Sequence, residues 1–132
     1  MANESNSKYK STLFSTLFSE KENALEMYNA LNGTDYDNPD EITITTLKNV
    51  VFINRYNDVS YILSGVFNLY EHQSTYNPNM PLRSFFYIAQ TFEKMVDQKK
   101  LLSRVRVPIP TPKFVVFYNG TQEQPDKQFM KL

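Results

Sequence analysis

The chain has 132 residues, the size of one ordinary domain, and is 41% hydrophobic with 9 Tyr, 10 Phe and no Trp. Its 14 basic and 14 acidic residues cancel, which argues against a dedicated nucleic-acid coat, and the absence of cysteine excludes disulfides, thiolate metal sites and cysteine nucleophiles. No apolar run approaches the roughly 20 residues of a spanning helix, and the polar start MANESNSKYK lacks an export core, so a cytoplasmic setting without membrane contact is expected.

Residues 1–9 read as a loose tail ahead of a single domain over 10–132. Leu13, Phe14, Leu17 and Phe18 have helical spacing and predict a short helical turn. Ser19-Glu20-Lys21-Glu22 matches a capping box and predicts a helix from about Glu20 to Leu31, stopped by Gly33. The loop 32–41 carries Asp35, Asp37 and Asp40, but Pro39 and Asp40 stand where a calcium loop needs other residues, so it reads as a solvated turn. Residues 42–54 are β-branched and apolar, one bent strand or two short ones. A hairpin follows, 57–63 and 66–73, around Ser64-Gly65. Pro81 suits the first turn of a helix expected over about Leu82 to Leu101, with Leu82, Phe85, Phe86, Ala89, Phe92 and Val96 as its core-facing stripe. Pro108, Pro110 and Pro112 then break structure. Residues 113–118 read as a buried strand, and Asn119-Gly120 as a turn. The order is helix, three strands, helix, strand, an α/β fold. Apolar residues on both faces of the hairpin (Ile62, Phe67 and Leu69 beside Ser60 on one, Val59, Leu63, Val66 and Tyr70 on the other) put it at the centre of a helix-covered sheet. The end, Phe129-Met130-Lys131-Leu132, is an apolar start without continuation and suggests a fragment or a shortened relative of a longer protein.

The hairpin carries the chemistry. With a two-residue turn, residues whose numbers sum to 129 face each other, which sets Asp58 opposite Glu71, their Cβ atoms about 4.5–5.5 Å apart. Facing like charges need compensation, and a divalent cation supplies it. Gln73 shares the face of Glu71, while His72 points away and offers its backbone carbonyl. Carboxylates plus waters suit Mg²⁺. Gln73 cannot act as a base, yet its amide can orient a water or steady developing charge. Strand-end acids facing solvent are the alternative reading. Further along, Lys94, Lys99, Lys100, Arg104, Arg106 and Lys113 form a basic stretch that would contact phosphates or simply cap a solvated helix end. Arg83, at the start of the second long helix, would meet a phosphate or pair with an acid.

Asn57-Asp58-Val59-Ser60, Leu69-Tyr70-Glu71-His72-Gln73-Ser74-Thr75 and Pro81-Leu82-Arg83 resemble the Rpn family, the recombination-promoting or YhgA-like nucleases of the PD-(D/E)XK superfamily. Asn29 to Thr34 and Phe117 to Thr121 add to the likeness, which covers about residues 8 to 126. The resemblance implies a restriction-endonuclease-like αβββαβ core with a central mixed sheet. It also implies Mg²⁺-dependent endonuclease action on DNA, with Mn²⁺ or Ca²⁺ as other ions for the site. Asp58 and Glu71 would be the metal-binding acids, joined by the His72 carbonyl, and Gln73 would stand where the superfamily has Lys. Glu26, with Glu22 behind it, would be the assisting acid of the first helix. Arg83, Lys94, Lys99, Lys100, Arg104 and Arg106 would be the DNA-phosphate contacts. The family's members are usually longer, and a homodimer is compatible with the resemblance. A binding module without strong catalysis, contacting DNA or a partner, is the alternative function.

Overall fold

A computed structural model describes residues 13–46 and 58–132. The helical residues 13–18 (α1) precede α2 (Lys21–Asn32), a 3₁₀ turn (Pro39–Glu41), β1 (Thr43–Ile44), β2 (Asp58–Leu63), β3 (Val66–Gln73), α3 (Met80–Met95), α4 (Gln98–Leu101) and β4 (Thr111–Tyr118). The expected tail 1–9 and the remainder of the strand run to residue 54 lie outside the described residues.

Two positive φ angles make the hairpin. Ser64 at 51° and Gly65 at 74° form a two-residue turn whose left-handed backbone matches the twist of the strands it joins. The register runs from Leu63 with Val66 to Asp58 with Glu71, as the sum of 129 requires. β1 pairs antiparallel with β2, and β4 pairs parallel with β3, giving a four-stranded mixed sheet in the order β1-β2-β3-β4. A parallel β3–β4 pair requires a crossover, and α3 supplies it.

Side chains alternate along the two central strands, so each strand feeds two cores. Val59, Tyr61, Leu63 and Tyr70 pack with Ala24, Leu25 and Tyr28 of α2, and Phe14 and Phe18 of α1 join them. On the other face Phe67 and Leu69 pack with Tyr87 and Ile88 of α3, flanked by Ile62 and Phe92. The acids share this second face. Contacts at both ends fix the direction of α3 across it: Met80 lies against Gln73, and Phe92 stacks edge-on against Phe67.

Three local expectations are corrected. The capping box does not close, because Glu20 is the N-cap of α2 without a side-chain bond, and the Ser19 hydroxyl donates to the Ser15 carbonyl instead. Gly33 still ends α2, at φ 64°. The second long helix ends at Met95, where Asp97 accepts from the Lys99 backbone N–H and starts the separate α4. Its buried side is Met80, Ser84, Tyr87, Ile88 and Thr91, so Leu82, Phe85, Phe86 and Ala89 face outward. Periodicity identifies a helix face but not which of two apolar faces meets the sheet. Finally, β4 begins at Thr111 and is not buried: residues 111–114 are exposed and 115–118 half-buried. It lies at the sheet edge, where Pro112 costs no ladder bond on its open side.

Candidate metal centre between the hairpin and the second long helix

The site begins with strand parity. In a two-residue hairpin the closing pair Leu63–Val66 exchanges hydrogen bonds, and pairs then alternate down the ladder. Asp58–Glu71 falls on a non-bonded pair, where side chains approach most closely. Both acids are 1% exposed. α3 covers them, since Arg83 Nη2 stands 3.6 Å from Glu71 Oε1 and the Tyr87 hydroxyl bonds Ser60 Oγ at 3.1 Å, one alternation along from Asp58. Ser60 Oγ in turn bonds Thr45 Oγ1 at 2.8 Å, so three hydroxyls line the Asp58 side.

Burial penalises the charged form of each acid. It pushes the Asp58 carboxyl up to about 6, with the nearby Tyr87 hydroxyl pulling it back in part and the Glu71 charge adding to the rise. Glu71 is raised by burial too, against the opposing pull of Arg83 and of the Gln73 amide. Among the described residues, neither Asp58 oxygen has a hydrogen-bond partner. A buried carboxylate in that state is costly, and a cation is one of the few things that relieves it.

Gln73 is 8% exposed and donates from Nε2 to Glu71 Oε1 at 3.0 Å, and also to the Met80 sulfur. Its amide nitrogen therefore holds Glu71 and Met80, which leaves the carbonyl oxygen as the group that could orient a water. His72 faces the opposite layer, with its ring 5.7 Å from that of Phe14. Its neighbour Asn57 lies outside the described residues. Carbonyls alternate along a strand; that of Gln73 accepts from Asn119 on the β4 side, so that of His72 points to the β2 side.

The donor set suits a hard cation: two carboxylates, a backbone carbonyl and room in their coordination for water. Asp58, Glu71 and the His72 carbonyl are the residues that would hold it. Among the described residues no group of three or more His, Asp and Glu side chains gathers, so water or substrate oxygens would have to complete the shell.

Other anticipated residues fall elsewhere. Glu26 and Glu22 are exposed on α2, which packs on the opposite face of the sheet, because Ala24, Leu25 and Tyr28 take its buried side. The structure does not bring either to the acid pair. Lys94, Lys99, Lys100, Arg104 and Arg106 are all exposed, at the end of the sheet marked by the hairpin turn. Thr111, which follows them, pairs with Val66, five residues from Glu71, or roughly 17 Å along the strand. Lys113 instead donates to the Asn32 side chain. Tyr87 and Met80 belong to the site without a sequence signal, because only the packing of α3 brings them to the hairpin; Ser60 shares the acid face by alternation, and Thr45 reaches it from the β1 side. No family model, curated protein or solved structure matches the chain.

Proposed function

We propose that the chain is the core of a Mg²⁺-dependent endonuclease that hydrolyses DNA phosphodiester bonds at Asp58 and Glu71. The carrying observation is the facing pair itself, two buried carboxylates on adjacent central strands with both Asp58 oxygens unsatisfied among the described residues. The resemblance of its surroundings to the Rpn nucleases points the same way. The bound ion would polarise the phosphoryl group and lower the pKa of a water. Asp58 and Glu71 hold the charge opposite it. Gln73 positions Glu71 through its N–H and keeps its carbonyl oxygen available to orient a water. Arg83 is 23% exposed and already spans from Glu71 toward solvent, so it is the side chain placed to exchange that carboxylate for an incoming phosphate. The exposed basic stretch, roughly 17 Å away, would neutralise phosphates flanking the cut rather than the scissile one.

One observation favours a second reading, a DNA- or partner-binding module that does not cut. Both acids lie under α3 at 1% exposure, whereas a scissile phosphate must reach them. Supercoiled plasmid incubated with the pure chain separates the two. Cleavage in Mg²⁺ that EDTA stops, and that Asp58→Asn and Glu71→Gln each reduce by about 10²-fold or more, supports the nuclease. Salt-dependent DNA binding without metal-dependent cutting supports the module. Equal cutting by wild type and both variants removes the site.

A further inference from the structure

The end of α3 and the chain that returns from it to β4 line a cavity of about 530 Å³, which shares no lining residue with the candidate metal centre. Phe92, Met95 and Val96 line it from α3 and its cap, and Val105, Val107 and Ile109 from the returning segment. The volume suits a small molecule, and an apolar lining with few polar groups is the usual character of such a site. Pro108 and Pro110 also line it, and their fixed φ restricts the returning segment to an extended path. Four polar residues reach the cavity: Asp97, Lys100, Ser103 and Arg106. Two of them are engaged. Asp97 Oδ1 accepts from the Lys99 backbone N–H at 3.0 Å, and the Ser103 hydroxyl donates to the Lys100 carbonyl at 2.7 Å. The side chains of Lys100 and Arg106 have no hydrogen-bond or ion-pair partner among the described residues. Residues 92–110 hold five basic and two acidic side chains, in a chain of zero net charge.

We propose that this cavity binds an amphipathic organic anion, an alkyl chain ending in a carboxylate. Charge complementarity selects the head. Two cations without partners favour an anion, and a carboxylate accepts from an ammonium and a guanidinium together. The walls select the body. Phe92 is the only aromatic residue among those that line the cavity, so its apolar surface is mostly aliphatic and suits a flexible chain. Val105 and Ile109 are 76% and 55% exposed, and an alkyl chain laid against them takes apolar surface of both partners out of water. Inorganic phosphate would meet the cations and leave these walls wet. Lys100 and Arg106 are also offered to DNA phosphates in the nuclease reading, so ligand and DNA would compete for them; the binding itself does not depend on that reading.

Titration of the intact, isotope-labelled chain with decanoate, kept below micelle formation and followed by NMR, tests it. Saturable shifts centred on residues 92–110 are expected. Lys100→Gln combined with Arg106→Gln should weaken binding by about 10-fold, and Ile109→Ser by about 3-fold; all three side chains are exposed, so the fold and its circular dichroism should not change. Acetate, which has the head without the body, and decyltrimethylammonium, which has the body with the opposite charge, should not saturate in the same range. No saturation by decanoate with a folded wild type overturns the proposal, and so does equal affinity for either control. Binding that is unchanged in the double variant would put the anion elsewhere and also overturns it. Binding to anionic lipid vesicles without binding of monomeric decanoate would make this region a membrane surface instead of a cavity for one molecule. Plasmid cutting is read separately, so failure here and failure of the nuclease reading are distinct results.

Discussion

Asp58 carries the largest consequence of any single side chain. Its carboxyl is raised from 3.8 to about 6, so the folded chain holds that proton more tightly than the unfolded chain does. The stability this adds is complete below about pH 4 and is lost as pH rises through about 6, a fall of about 3 kcal/mol across that interval. Glu71 is raised in the same direction and adds to the slope. Without divalent metal, urea unfolding should therefore show lower stability at pH 8 than at pH 5, and Asp58→Asn should flatten most of the difference. Stability that instead climbs steadily from pH 5 to 8 in the wild type would mean that the pair is not desolvated. The acids were legible as a pair from arithmetic alone, because Ser64-Gly65 fixes the register. Their burial was not, since it depends on which side of α3 meets the sheet.

Among the elements, the hairpin was the most legible and α3 the least. Ser64 sits at φ 51°, where a side chain without an amide gains little, and the first position of this turn favours Asn. Ser64→Asn should raise stability by about 0.5–1 kcal/mol, read as a higher urea midpoint with an unchanged slope; a loss of stability would argue against the turn and its register. α3 shows the reverse case. Its apolar residues repeat correctly on two sides, and sequence spacing favours the richer side, Leu82 to Ala89. The sheet takes the poorer side because hydroxyls are needed there: Tyr87 reaches Ser60, and Thr91 satisfies itself on the Tyr87 carbonyl. The capping box failed for a smaller reason of the same kind, a competing carbonyl one turn back. β4 misled through composition, since a run of apolar residues fits an edge strand as well as a central one.

At the scale of the molecule, a mixed sheet with helices on both faces separates two tasks. The α1–α2 side holds a core of tyrosines and aliphatic side chains, in which the Tyr61 hydroxyl donates to that of Tyr70 at 2.9 Å. The α3 side holds the carboxylates at one end of the strands and the basic stretch near the other. That division explains why Glu26 is remote: the first long helix belongs to the structural side. Under the proposed nuclease reading, DNA would run along the α3 side, from exposed cations at the turn end to Arg83 at the acid end. The proposed nuclease reading requires that Asp58 and Glu71 together take a divalent cation. Calorimetric titration of the metal-free chain with Mg²⁺ at pH 8 tests that most directly. Saturable binding near one ion per chain is expected, lost in Asp58→Asn while the variant stays folded. Binding that survives unchanged in Asp58→Asn, or no binding at millimolar Mg²⁺ by a folded wild type, would contradict it.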